Sequence, residues 1–192
     1  MSLLRTKIIR ILASRLERDR FNHALATEKE AARLAAHYHE DWHSAALAGL
    51  LHDLCRCHPQ QWQSEYMRTH RAGLSREWLA LPKLWHGPCA AAFARAELGI
   101  RERKILDAVR FHTTSRPGMS TFEKIIYIAD KIEPTRSYEG VHQLRAAAHR
   151  SLDEALHLDL KRKLEHSCAS GLPLVNEATA AYNELATANK EG

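Results

Sequence analysis

The segment Ala45-Ala-Leu-Ala-Gly-Leu-Leu51 is apolar on every side of a helix, and it runs directly into His52-Asp53. A helix that is apolar all round is a buried helix. An ionisable pair at the end of such a helix is costly to desolvate unless something compensates it, and a metal ion is one such compensation. Whatever packs around this segment must supply both a hydrophobic core and a polar partner.

The rest of the chain also reads as helix. Ala, Leu, Glu, Arg and Lys, all good helix formers, dominate, and alternating β-branched stretches are nearly absent. The apolar spacing predicts helices over residues 3–18, 22–39, 43–55, 59–71, 88–98, 101–112, 120–133, 138–149, 151–168 and 173–189. Local signals mark several ends. Gly87-Pro88 opens a helix with Pro in its first turn, and Gly99 closes it. Pro117-Gly118 is a turn, Ser120 with Glu123 forms a capping box, and Pro134 stops the helix that follows. No repeat, low-complexity tract or linker interrupts the 192 residues. The expected fold class is all-α, a single helical-bundle domain over residues 1–192.

Composition narrows the function classes. No apolar run approaches the ~20 residues that span a bilayer. The start, MSLLRTKIIRILASRLERD, sets apolar residues at helical spacing among basic ones instead of in an unbroken secretory core, so the expected address is cytoplasmic, with no membrane partner. The four cysteines suggest no disulfide framework. Cys55-x-Cys57-His58 lacks the second close ligand pair of a zinc site, and reduced thiols are the expected state. A net charge of +5 favours anionic partners. The charge does not choose among nucleotides, nucleic acid and acidic lipids; the arginines are scattered among acids and form no basic tract, and nucleic acid is not the expected partner.

Thirteen histidines are many for this length. His37, His39 and His43 lie near a polar helix end, and His58, His70, His142, His149, His157 and His166 sit among charged neighbours; solvated or capping roles suffice for these. His23, His86 and His112 instead lie at predicted helix termini, where loops converge and sites form. Each alone reads more often as structural. The acids add to them. Adjacent helical residues point about 100° apart, so His52 and Asp53 cannot stack on one face. They can grip one ion from the helix end, or Asp53 can bridge two ions with its two oxygens. Asp130 ends the largely apolar run Lys124-Ile-Ile-Tyr-Ile-Ala-Asp130, where a lone acid would read as a cap or a salt bridge.

In order, His23, His52-Asp53, His86, His112 and Asp130 resemble the ligand pattern of the HD-domain superfamily of metal-dependent phosphohydrolases. His23, His52-Asp53 and Asp130 match the minimal H…HD…D pattern, and His86 and His112 match the two further histidines of branches that hold a dinuclear centre. Ala48-Gly-Leu-Leu-His-Asp53, Leu84-Trp-His-Gly-Pro88, His112-Thr-Thr114, Arg116-Pro-Gly-Met-Ser120 and Tyr127-Ile-Ala-Asp-Lys-Ile-Glu-Pro-Thr-Arg136 are similar to the YqeK-type branch, the symmetrical diadenosine tetraphosphate hydrolases. The likeness covers roughly residues 18–165. Two positions depart from that branch: Arg56 stands where Lys is usual, and Ser115 where Gly is usual. Segment 58–83, with Trp62 and Trp78, matches least.

The resemblance implies two divalent transition-metal ions, iron first with Mn, Co or Zn as alternatives, as mixed imidazole and carboxylate ligands suit. Their ligands would be His23, His52, Asp53, His86, His112 and Asp130. Two such ions about 3.5–4 Å apart clamp an in-line displacement and acidify a shared water. The implied reaction is symmetrical cleavage of diadenosine tetraphosphate to two ADP, with Asp53 and Arg56 catalytic. Arg56, Lys131 and Arg136 would neutralise the polyphosphate, with a solvated helix-end charge as the competing reading for Arg136. Thr113 and Thr114 would donate to phosphate oxygens, with helix C-capping as their competing reading. The alternative function keeps the chemistry and changes the substrate to another nucleotide or alarmone. A nucleotide- or RNA-binding protein with a residual HD fold is the reading from a different class. A homodimer is compatible with the sequence.

Overall fold

The computed structural model describes residues 2–188. The helices are α1 (Ser2–Arg15), α2 (Arg18–His37), α3 (Trp42–Leu51), α4 (Gln60–Thr69), α5 (Arg76–Leu79), α6 (His86–Glu97), α7 (Arg103–Phe111), α8 (Thr121–Ile132), α9 (Val141–Arg150), α10 (Leu152–Ala169) and α11 (Asn176–Ala188), with a 3-10 turn at Pro82–Leu84. No strand occurs among the described residues. The fold class is all-α, as the composition and periodicity predict.

The apolar segment is the centre of the packing. α3 touches α1, α2, α6, α7 and α8. Ala45, Ala48, Leu50 and Leu51 are wholly inaccessible. Burying each of the two leucines contributes about 1.5–3 kcal/mol. Asp41 caps the N-terminus of α3 by accepting from the backbone N–H groups of His43 and Ser44. One hydrophobic core runs from Ile8 and Leu12 of α1, through Ile125, Ile126 and Ile128 of α8, to Leu185 of α11. No helix is long and apolar enough to cross a membrane among the described residues.

Two glycines set how closely helices approach. A Cβ on Gly49 of α3 would lie 2.9 Å from the Thr27 carbonyl oxygen of α2 and 3.1 Å from Ala31 Cβ. A Cβ on Gly87 of α6 would lie 2.7 Å from the Arg110 carbonyl oxygen of α7. Only glycine lets these backbones touch. The α2–α3 pair carries His23 and His52, and the α6–α7 pair carries His86 and His112.

The punctuation residues act as read. Both halves of the Ser120–Glu123 capping box form, Glu133 caps α8 just before Pro134, and Gly99 takes a left-handed φ of +70° after α6. Most boundaries fall within three residues of those expected, and two differ by four. α2 starts at Arg18 instead of residue 22, with Glu17 as its N-cap. α3 stops at Leu51 instead of residue 55. Past Leu51, Leu54 N donates to Leu51 O (3.0 Å) and Arg56 N to Asp53 O (2.9 Å), a turn with i→i+3 bonds. The Gly49 carbonyl, which would help continue the helix, accepts from His52 Nδ1 instead. Within 58–83, α5 and the 3-10 turn are elements that periodicity does not reveal, because each is about one turn long. They bring the chain to His86, which is the first residue of α6 and not, as predicted, a residue ahead of it.

Candidate metal centre

Four imidazoles converge, and each is held by its Nδ1. In three of them Nδ1 donates to the carbonyl three residues back: His52 to Gly49 O (2.6 Å), His86 to Lys83 O (2.9 Å) and His112 to Val109 O (2.7 Å). These three sit at helix ends, where carbonyls lack helical partners or the chain turns. His23, in the second turn of α2, pairs its Nδ1 with Glu133 Oε1 at 2.9 Å. A carbonyl only accepts, so the proton is on Nδ1 and the Nε2 lone pair faces inward. Fixing the ring through one nitrogen so that the other is presented is how metal-ligating histidines are held.

The Nε2 atoms meet in pairs. His23 and His52 are 3.1 Å apart, and so are His86 and His112. Burial pushes His86 down to about 4 and holds His52 and His112 below the usual histidine value, so these rings are neutral near pH 7. In the second pair two lone pairs therefore face each other at 3.1 Å. The Thr113 hydroxyl lies 3.2 Å from His86 Nε2 and 3.0 Å from His112 Nε2 with one hydrogen to give, and the Arg56 guanidinium lies 3.0 Å from His86 Nε2, so these two donors stand where a cation would. A cation between the two nitrogens satisfies both, and the residues present fit one.

The carboxylates join the pairs. Asp53 Oδ2 lies 3.6 Å from His52 Nε2 and 3.9 Å from His23 Nε2, while its Oδ1 lies 3.3 Å from His86 Nε2 and 4.0 Å from His112 Nε2. Asp130 Oδ1 lies 3.0 Å from His23 Nε2 and 3.7 Å from His52 Nε2. Two lobes result: His23, His52, Asp130 and one oxygen of Asp53; then His86, His112 and the other oxygen of Asp53. All six are buried. Burial alone would raise both acids. Lys131 outweighs it at Asp130 and holds that carboxyl well below the usual range, and positive charge within the imidazole cluster does the same at Asp53. In the first lobe Arg136 Nη2 sits 2.6 Å from Asp130 Oδ1 and 3.3 Å from His23 Nε2, a positive group standing where the ligand set asks for one.

A cavity of about 280 Å³ opens over the lobes, lined by five cations, Arg20, Arg56, Lys131, Arg136 and Lys163, against the two carboxylates. Arg56 Nη1 lies 3.1 and 3.0 Å from the two ring nitrogens of His86. Lys131 Nζ pairs with Asp130 Oδ2. Thr113 faces this cavity but Thr114 does not; it is buried, its hydroxyl has no hydrogen-bond partner among the described residues, and it lines the neighbouring cavity. The turn after them is closed by Ser115, whose N–H donates to Phe111 O at 2.8 Å. Ser115 takes a left-handed φ of +64°, which explains why glycine suits this position better than serine.

Sequence reasoning missed four contributors. Arg20 lies 3.5 Å from Asp53 Oδ2; its place one helical turn before His23 was a usable signal. Glu133 is fully buried and also accepts from Thr135 N and Oγ1, both at 2.6 Å. Tyr138 and Lys163 gave no local signal. Lys163 arrives from α10, where Nζ donates to Thr113 O (3.0 Å) and Tyr127 OH (2.7 Å); burial pushes it down to about 8. The other histidines stay away from the cluster: His37 Nε2 bonds His149 O, and His58 contacts Arg15. Cys55 is buried and Cys57 exposed, both free thiols.

The profile of the HD domain matches residues 20–135, which hold all six clustered side chains. The chain is 33% identical over 183 residues to a protein of Halalkalibacterium halodurans named bis(5'-nucleosyl)-tetraphosphatase, symmetrical, covering 94% of this chain and 96% of that one. It is 31% identical over 186 residues to the protein of the same name in Bacillus subtilis, covering 94% and 97%. A solved structure from Clostridium acetobutylicum, described as a predicted HD superfamily hydrolase involved in NAD metabolism, superposes with a TM-score of 0.92 at 36% identity over 95% of this chain and 97% of that one. Sequence, fold and the order of the clustered residues agree, and the chain belongs to the HD-domain family.

Proposed function

We propose that this chain is a metal-dependent hydrolase that cleaves diadenosine tetraphosphate symmetrically, releasing two ADP. The observation that carries the reading is the division of Asp53, one oxygen toward each imidazole pair, beneath a cavity with five cations and two carboxylates. That charge balance suits a polyphosphate. Relatives that match along nearly their whole length carry the same activity in their names.

The proposed ligands are His23, His52, Asp53 and Asp130 for one ion and His86, His112 and Asp53 for the other. The ions are divalent transition metals, iron first. When bound, the pair would supply Lewis-acid charge for the phosphoryl oxygens and lower the pKa of the attacking water. The chain does the remainder. Arg56, Lys131, Arg136 and Lys163 hold the phosphate chain and offset the charge that builds on it in the transition state. Lys131 and Arg136 are free for this once a cation takes their place on Asp130. Thr113 donates its hydroxyl to a phosphoryl oxygen. In the reaction the water oxygen bonds to a phosphorus next to the central bridging oxygen. The bond between that phosphorus and the bridging oxygen breaks, its electron pair leaves with the second ADP, and the proton lost by the attacking water passes to solvent. The whole chain acts as one HD-type unit, and the proposed location is the cytoplasm.

The test is product analysis on diadenosine tetraphosphate with protein loaded with Fe, Mn, Co or Zn. Two ADP per substrate is expected, and ATP plus AMP overturns the symmetrical reading. A panel of mononucleotides and NAD decides between substrates, because the solved relative is described in terms of NAD metabolism. A mononucleotide preferred over every dinucleoside polyphosphate rejects the proposal. Asp53→Ala should abolish turnover with helix content retained.

A further inference from the structure

A second cavity, of about 370 Å³, adjoins the metal cavity and shares Thr113, Tyr138 and Lys163 with it. We propose that it seats one nucleoside half of the substrate, with the phosphates leading out past Lys163 and Thr113 to the metal cluster. This rests on the nucleotide reading above.

The walls are apolar: Leu81 and Leu84 from the 3-10 turn and its edge, Leu172, Val175 and Ala178 from the α10–α11 corner, and the ring of Tyr138. Tyr138 and Leu172 are 38% and 45% exposed, so this apolar surface is left open to water. A base and ribose would cover it. Ligand pockets are about 300–1,000 Å³, mostly apolar, with a few placed polar groups. Here the polar groups are of the right kind. Thr114 lines the cavity, is 4% exposed, and its hydroxyl has no partner among the described residues. Arg162 lies 5.5 Å from the Tyr138 ring centre, which fixes a flat face. Lys163 stands at the throat between the cavities.

The nearest competitor is a groove on α6 and α7 lined by Arg71, Arg95, Arg101, Arg103 and Arg110. It is more basic, but it shares no lining residue with the metal cavity, so a nucleotide bound there cannot present its phosphates to the cluster. Most walls of the proposed pocket come from residues 159–178 and 81–84. The first stretch lies outside residues 20–135, the region matched by the HD profile. Base recognition thus draws largely on residues beyond the profile-matched core.

Photolabelling of the full chain with 8-azido-ADP, followed by peptide mapping, tests this without relying on turnover. Label between residues 163 and 178 or at 81–84, competed by ADP, is expected. Label in the Arg71–Arg110 groove overturns the proposal. Leu172→Asp, at an exposed position, should weaken ADP binding roughly tenfold or more, in line with pocket discrimination elsewhere. Inorganic tripolyphosphate, which has no base, should keep its affinity within twofold; equal weakening of both overturns the proposal, and Leu84→Asn repeats the test from the opposite wall. Label in this pocket without tetraphosphatase activity would fault the substrate reading alone, and activity with label elsewhere would fault the pocket alone.

Discussion

Gly87→Ala sets two physical effects against each other. Gly87 is the second residue of α6, where alanine would favour the helix by at most about 1 kcal/mol, the value for a helix interior. The added Cβ, however, would sit 2.7 Å from the Arg110 carbonyl oxygen and 3.4 Å from His112 Cε1. Ordinary contact begins at 3.4 Å, so α6 and α7 must part by about 0.7 Å, the difference between those two distances. The obstacle is backbone and cannot rotate away. Such overpacking costs about 1–3 kcal/mol. The net is a loss of about 0–2 kcal/mol, or up to about 8 °C in Tm for a chain of this length. The larger effect is at the site, because the same movement separates His86 from His112, whose Nε2 atoms are 3.1 Å apart. Functional constellations tolerate about 0.5 Å, and an error near 1 Å can cost about 100-fold. Turnover should fall roughly 10- to 100-fold, with lower metal content by elemental analysis. Gly73→Ala is the control, since nothing lies within 4 Å of its Cβ position. A Gly87→Ala protein with higher Tm, full metal content and full turnover would refute the reasoning.

Glu133→Ala removes the carboxylate that orients His23 and should weaken metal affinity by roughly 10- to 100-fold in a chelator competition, as for other groups that buttress a ligand; Glu133→Gln should lose less, and an unchanged affinity counts against the orienting role. Ser115→Gly relieves a left-handed residue whose hydroxyl bonds only the preceding carbonyl, and should stabilise the fold by about 1 kcal/mol, seen as a Tm about 2–4 °C higher; a lower Tm would contradict it. His86, His52 and His112 have folded pKa values below the unfolded value, so the unfolded chain binds more protons as pH falls. Metal-free protein should hold this stability above about pH 6.5, the unfolded histidine value, and lose it as pH falls toward about 4, the His86 value. A Tm that stays flat across that window would contradict buried neutral imidazoles.

The helices were legible because their signals are local. The Ser120–Glu123 box, Gly99 and Pro134 each report a boundary within a few residues. The all-apolar Ala45–Leu51 run foretold the central helix, and its collision with His52-Asp53 foretold that polar partners gather at its end. The six clustered residues were legible only through their order along the chain, since nothing in composition says that His23 and Asp130 meet. What stayed hidden depends on long-range closure. Lys163 reaches Thr113 across 50 positions, and Glu133 reaches His23 across 110. Thr113 and Thr114 looked equivalent as neighbours, but the turn closed by Ser115 puts Thr113 on both cavities and Thr114 on the outer one alone. The short elements at 76–79 and 82–84 escaped because one turn leaves no period to read.

A single acid that faces both imidazole pairs makes the cluster a linked system. With an ion in each lobe, moving Asp53 to suit a larger or softer one would shift its bite on the other. Tuning either half for a different element would then fall to residues behind the histidines, such as Glu133 or the carbonyls of Gly49, Lys83 and Val109.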